Sequence, residues 1–408
     1  MISVLEAEKI ILDHKINIED KIVPLDQAVG EILRENLKAD RDFPPYDRVT
    51  MDGIAINYQA FANGVRTFPI ESVGPAGAPR ITMQKTDHCI EIMTGAILPA
   101  NTDTVIRYED LEIKEGRATF LLEDLKQGKN VHRKGEDCQA KDLLVKAGVK
   151  ISPAEIGIAA TIGKTHLKVA DIPKAVILST GDELVDVGQS PLEHQIRKSN
   201  VHQLKATLEQ WGIQSTMEHL VDEKQAILEK MEYLLSKYEI IVMSGGVSKG
   251  KFDYIPEALE QLDVKKLFHR VRQRPGKPFW FGVSPTGSRV FALPGNPVST
   301  FMCAHRYIKS WLYESLGVDK KQPFAILAED YFFKPDLTYY LQVKLSCRPD
   351  GSILAFPQTG NGSGDHANLS SADAFMEIPA GRTHFKAGEV FPFLPYRQVL
   401  EPADKKLV

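Results

Sequence analysis

Val4, Ala7, Ile10 and Ile11 recur at helical spacing near the start of the chain and, with Leu5, predict an amphipathic helix. Ser3 and Glu6 form a capping box ahead of it. A second short helical stretch is expected from Asp26 to about Glu35. After Pro44-Pro45 the pattern changes to short alternating stretches broken by turns, among them Ile54-Ala55-Ile56, as far as Leu144. That rhythm is the mark of a β domain. Ser152-Pro153-Ala154-Glu155 is another capping box with proline at the first helical position, and Gly163 stops its helix.

From Ala175 the periods alternate. Ala175 to Leu178 is an apolar strand. Asn200 caps a helix that carries Val201, Leu204, Leu208 and Trp211 on one face and ends at Gly212. A further helix runs from about Asp222 to Leu235, and a buried strand from Ile240 to Met243. Such alternation predicts a parallel sheet covered by helices. Strands Phe279 to Val283 and Arg289 to Leu293 flank a turn at Ser284-Pro285-Thr286-Gly287, with Phe279 and Trp280 as core residues. Beyond Gln322 the chain is β again, with a hairpin turn at Pro349-Asp350-Gly351. The fold class is therefore multidomain α/β plus β: a split helical part (1–40 and 145–172), a β-rich domain (41–144), a parallel-dominated α/β domain (173–320) and a C-terminal β domain (321–408).

Composition narrows the class. With 408 residues and 43% hydrophobic content the chain can build several cores. Fifty Lys+Arg against 54 Asp+Glu leave a net charge of -4, which disfavours bulk attraction to nucleic acid or an anionic membrane. An anion must then be handled by a few placed residues. Cys89, Cys138, Cys303 and Cys347 form no Cys-x-x-Cys pair, which fits a reducing compartment. Glu6, Glu8 and Asp13 lie where a signal peptide would carry no acids, and no apolar run approaches roughly 20 residues. The expectation is a cytoplasmic protein.

Candidate chemistry gathers at the strand ends. In doubly wound sheets, ligands bind at the carboxyl ends of the parallel strands. The first strand ends in Ser179-Thr180-Gly181-Asp182-Glu183, a later one in Ser244-Gly245-Gly246-Val247-Ser248, followed by Asp253. Glycines there let backbone amides approach a phosphate. Arg274-Pro275-Gly276-Lys277-Pro278 precedes one strand of the hairpin, and Pro294-Gly295-Asn296-Pro297-Val298-Ser299 follows the other. Hairpin pairing puts these two loops together. Arg274 and Lys277 beside a helix start near Ser299 suit a small oxyanion. Asp182, Glu183 and Asp253 suit a divalent cation bridging phosphate oxygens, although each alone reads as a surface residue or cap. Elsewhere Asp52, Thr94-Gly95 and Arg133-Lys134-Gly135-Glu136-Asp137 stand out, but spacing alone does not bring them to the α/β edge. His88, His132, His202, His305 and His366 lack metal-ligand spacing.

Taken in order, Met51-Asp52-Gly53, Met93-Thr94-Gly95-Ala96, Gly135-Glu136-Asp137, Ser179 to Glu183, Ser244 to Ser248, Asp253-Tyr254, Arg274 to Pro278 and Leu293 to Ser299 resemble the MoeA molybdopterin molybdenumtransferases, relatives of the gephyrin E domain. The resemblance implies a Mog-like central domain that binds molybdopterin and a barrel-like C-terminal domain. It implies that adenylylated molybdopterin and molybdate are substrates, that Mg²⁺ assists, and that AMP is released. It also implies a homodimer whose site is shared between subunits, with contact to other proteins of cofactor synthesis. By carry-over, Asp52, Thr94, Asp137, Glu183 and Asp253 are catalytic. Arg274, Lys277, Pro278, Ser299 and Ser363 take molybdate or phosphate. Thr180, Gly181, Gly245, Gly246, Ser248, Pro294, Asn296 and Pro297 form the molybdopterin loops, and Asp182, Glu183 and Asp253 face the metal.

The chain departs from that pattern at four places. Lys198 replaces an acid in Lys198-Ser199-Asn200, Lys141 stands where glycine is frequent, Gln342 falls where many members carry arginine, and the stretch Gly360 to Asp365 is acidic. Two other readings compete: a non-catalytic gephyrin-like scaffold and a Mog-type adenylyltransferase. Intact acids at Asp52, Asp137, Glu183 and Asp253 disfavour the first; the added β domains disfavour the second.

Overall fold

The computed structural model describes residues 1–221, 223–246, 254–319 and 321–397. They form two compact units, one of Met1–Ile22, Gly30–Ile32 and Lys168–Val408, the other of Val23–Val29 and Leu33–Leu167.

In the second unit a six-stranded mixed sheet runs in the order Thr104–Arg107, Gly53–Ile56, Cys89–Ile92, Thr67–Gly74, Arg117–Phe120, Leu111–Lys114. Its strand Gly53–Ile56 is buried on both faces: Ile54 and Ile56 pack with Phe68 and Phe120, Ala55 with Val49 and Leu98. The helix Pro153–Thr161 carries the expected capping box, with Ser152 N donating to Glu155 Oε2 at 2.8 Å. The expected helix from Asp26 to Glu35 does not form. Only a 3-10 turn, Leu25–Gln27, appears. Gly30 takes φ +88, and Leu33 N bonds Val149 O at 2.9 Å, so the backbone finds distant partners instead of its own turn.

The first unit opens on helix Val4–Asp13, which buries Val4, Ala7 and Ile11. Leu5 is 72% exposed, because one residue after Val4 the side chain has already rotated off the buried face. Six strands follow in the order Ser215–Leu220, Ala175–Thr180, Ile240–Ser244, Arg289–Leu293, Trp280–Val283, Lys265–His269. The first four are mutually parallel; Trp280–Val283 runs antiparallel to both its neighbours, so Lys265–His269 points the same way as the first four. Ile177, Val242 and Phe291 pack against one helix layer; Val176, Leu178, Ile241 and Val290 pack against the other. Burial on both faces is why these strands read as apolar runs. Helix Ser199–Gln210 begins two residues earlier than expected: Lys198 is the cap, and Asn200 lies inside the first turn. The next helix spans Lys224–Lys237, beyond Asp222, which lies outside the described residues.

Pro297–Cys303, a π-helical turn Ala304–Ile308 and Lys309–Leu316 follow one another as a single helical stretch. The π-turn carries Arg306, whose side chain is 6% exposed. Its guanidinium grips Glu8 at 2.6 and 2.8 Å and donates to Glu377 at 3.0 Å and Tyr340 at 3.1 Å. The C-terminal strands Thr338–Cys347, Ile353–Pro357, Phe324–Leu327, Val390–Pro395 and Ala374–Ile378 pair in a closed ring, a five-stranded barrel filled by Leu341, Val343, Met376 and Phe391. Cys347 pairs with Ile353 across the expected hairpin, and Gly351 supplies its φ of +84. Among the described residues, no helix is long and apolar enough to cross a membrane.

Candidate functional site

Three parallel strands deliver their carboxyl ends to one hollow of about 290 Å³, lined by Thr180, Gly181, Glu183, Lys198, Asn200, Gly245, Gly246, Gly295, Asn296 and Pro297. Gly245 and Gly246 take φ +93 and +71, and a Cβ on Gly246 would stand 2.8 Å from both Thr180 Oγ1 and Ile255 Cδ1. Only glycine lets this backbone close over Thr180. Glu183 folds its carboxylate back over Gly181, where a Cβ would collide with it. Glu183 is exposed at this rim, while Asp182, also exposed, is not among the lining residues.

Asn200 was read from the sequence as a cap, yet it ties the site together. Its Nδ2 donates to Ser244 Oγ at 2.9 Å and to Gly295 O at 2.6 Å, joining two strand-end loops to the helix. Its buried Oδ1 has no hydrogen-bond partner, an arrangement that suits a ligand donor. The usable signal was its place in Lys198-Ser199-Asn200, directly before the helix. We expect Asn200→Ala to raise the KM for the ligand of this hollow about tenfold, roughly 1.4 kcal/mol, with little change in kcat. Equal losses in both constants would refute a binding role.

Lys198 lines the hollow with a side chain 17% exposed, paired to Asp186 at 3.0 Å. Nearby, Ser179 Oγ contacts His219 Nδ1 at 2.9 Å; burial, then the Lys198 charge, push that imidazole below its ordinary pKa. His219 is not one of the residues that line the hollow; it reaches it through Ser179, which does.

A second hollow, about 240 Å³, is lined by Arg274, Pro275, Val298, Tyr339, Gln342, Gln358 and the stretch Gly360 to Ser363. Asn296 Nδ2 donates to Ser363 Oγ at 2.9 Å, and Val298 N to Ser363 O at 3.2 Å. The two hollows therefore share the wall made by Asn296 to Val298. Gln342 is 7% exposed and its Oε1 is buried without a partner. The acidic loop spends its charge locally: Asp365 accepts from Asn361 N at 2.9 Å and Asn368 N at 3.3 Å.

Of the two expected cations, only Arg274 lines this second hollow. Gly276 is tucked where a Cβ would meet Cys303 Sγ at 2.6 Å, and the buried Gln273 holds Gly276 O at 3.0 Å. Lys277 emerges exposed, lining neither hollow, as does the half-buried Pro278. Ser299 and Pro294 are buried and line neither hollow, so their expected contact with ligand is not seen. Ser248 and Asp253 lie outside the described residues.

In the other unit, antiparallel pairing of Gly53 with Ile92 brings Asp52 to Thr94. Asp52 Oδ1 accepts from Thr94 N at 2.6 Å, and that backbone donor holds its carboxyl below the usual carboxylate range. Asp137 is reached by His132 Nε2 at 2.9 Å. Its loop docks on Phe43 and Pro44 through Asp137 N to Phe43 O and Gly135 N to Pro44 O, each 3.0 Å. Lys141 holds φ +76, a conformation glycine accepts more readily. Among the described residues, no group of three or more His, Cys, Asp or Glu could hold a metal ion.

Known protein families match three stretches of the chain. Residues 2–163 match the model of the MoeA N-terminal region (domain I and II), residues 176–314 the one described as "Probable molybdopterin binding domain", and residues 325–396 that of the MoeA C-terminal region (domain IV). A molybdopterin molybdenumtransferase from Synechocystis is 39% identical over 396 residues, 96% of this chain and 99% of the relative. One from Staphylococcus epidermidis is 30% identical, covering 95% and 94%. The crystal structure of a molybdopterin biosynthesis moeA protein from Pyrococcus horikoshii superposes with a TM-score of 0.83 at 27% identity, covering 98% of this chain and all of that one.

Proposed function

Because the chain belongs to the MoeA family, whose curated relatives over its full length are molybdopterin molybdenumtransferases, we propose that it inserts molybdate into adenylylated molybdopterin and releases AMP. The observation that carries this reading is the pair of adjoining hollows joined by the Asn296–Ser363 hydrogen bond. One has the glycine-lined, polar character suited to a pterin and its phosphates, the other a guanidinium for a small oxyanion. Neither competing reading is favoured: the full-length relatives carry the name of the transferase.

In this reading Thr180, Gly181, Gly245 and Gly246 cradle the substrate, and Arg274 with Ser363 holds the oxyanion. Lys277, exposed nearby in sequence, neutralises developing phosphate charge. Glu183 at the rim and the neighbouring exposed Asp182 are a donor set too small for an all-protein cage but suited to Mg²⁺, which takes one or two carboxylates and completes its shell with phosphate oxygens and water. When bound, that ion would neutralise charge at the pyrophosphate link. Asp52, Thr94 and Asp137 orient the attacking oxygen. The four-part domain division and a homodimer sharing its site between chains belong to the same proposal.

The test is AMP release from adenylylated molybdopterin with Mg²⁺ and molybdate. We expect molybdate-stimulated release in the wild type and its loss in Asp52→Ala and Lys277→Ala. Mixing these two inactive chains should restore about a quarter of wild-type turnover, because half of random dimers are mixed and each carries one intact shared site. No molybdate-stimulated release in the wild type would sink the assignment; no restoration on mixing would sink the shared site.

A further inference from the structure

We propose that His132 is a positioning residue for Asp137 and that Arg48 sets the imidazole tautomer that lets it act. The inference rests on the role given above to Asp137. Residues 48–49 and 131–132 form a two-stranded antiparallel ribbon in which His132 pairs with Arg48 and Val131 with Val49. That register sets Arg48 Nη2 3.1 Å from His132 Nδ1. A guanidinium only donates, so Nδ1 is the acceptor and the ring proton sits on Nε2. Nε2 lies 2.9 Å from Asp137 Oδ1, to which it donates, and 4.0 Å from the rival acceptor Glu136 Oε2.

The backbone of Asp137 is pinned by its N–H to Phe43 O, but its side chain is 58% exposed. An exposed carboxylate samples several rotamers, and an attacking group must be held in one. His132, 23% exposed, supplies that restraint by engaging Oδ1, so that Oδ2 serves the reacting oxygen.

Steady-state AMP release from the full-length protein, with adenylylated molybdopterin, Mg²⁺ and molybdate, tests this. His132→Leu should lower kcat about ten- to a hundredfold with KM for the pterin substrate within about twofold. Adding Arg48→Met to it should cost nothing more, and Asp137→Ala/His132→Leu should be no slower than Asp137→Ala. His132→Gln, whose amide donor falls near Nε2, should recover most of the rate; His132→Asn, whose amide falls near Nδ1, should not. This Gln-against-Asn contrast holds even if the leucine variant folds poorly. Wild-type kcat in His132→Leu with Asp137→Ala inactive would overturn the inference alone, as would equal rates for Gln and Asn. Wild-type turnover in Asp137→Ala would overturn both it and the role of Asp137.

Discussion

Replacing Arg306 by methionine is expected to lower stability by about 3–5 kcal/mol, the usual consequence of taking one member from a buried ion cluster. The guanidinium is 6% exposed and serves Glu8, Glu377 and Tyr340 together. Burial opposes its charge, yet Tyr340 and the two carboxylates outweigh that, and its pKa stays above the ordinary arginine value. Methionine fills the aliphatic volume but leaves two carboxylates, each 21% exposed, facing each other's charge without their cation. Calorimetry should show the transition of this unit falling by roughly 10 °C. The companion experiment removes all three charges, as Glu8→Met/Arg306→Met/Glu377→Met. It should recover much of the loss, since an apolar replacement of a whole buried cluster is often neutral. A drop under about 1 kcal/mol for the single change would mean that the cluster contributes little.

Gly53→Ala is the second large effect, and it acts on the candidate site as well as on the fold. Gly53 lies in a central strand paired with both Ile92 and Arg107, at φ +156, and a Cβ there would overlap Ile106 O. The obstacle is backbone in a neighbouring strand, which cannot rotate away as a side chain could. The strands must part, at a cost of about 4 kcal/mol or more. Asp52 precedes this glycine, so parting the strands also breaks the 2.6 Å bond from Thr94 N to its carboxylate. We expect little soluble protein, and in any recovered fraction a loss of AMP release at least as severe as in Asp52→Ala. Wild-type melting and activity would show that the strand can absorb a methyl group.

Much of the architecture was legible because it is written in local periods. Both capping boxes, the apolar strands of the α/β sheet and the hairpin turn at Gly351 follow from residues within a few positions of one another, whereas the barrel-like form of the last domain came from the family resemblance. The helix expected from Asp26 to Glu35 failed where Gly30 and a distant partner at Val149 outweighed a short apolar pattern. In the site, the glycine loops were readable from spacing after a strand. Asn200 was not, because its two partners are 44 and 95 residues away. Nor was the separation of Arg274 from Lys277, three residues apart yet turned differently by a buried Gln273.

The sequence by itself determined the kinds of elements, their order and the loops that carry chemistry, since propensity, capping and hydrophobic period act over one or two turns. The tertiary structure alone decided which side chains meet. Glu8 reaches Arg306 across 298 positions, Asn296 reaches Ser363 across 67, and Arg48 selects the tautomer of His132 across 84. No local pattern encodes those distances; they follow from strand register and from how the helices close on the sheet.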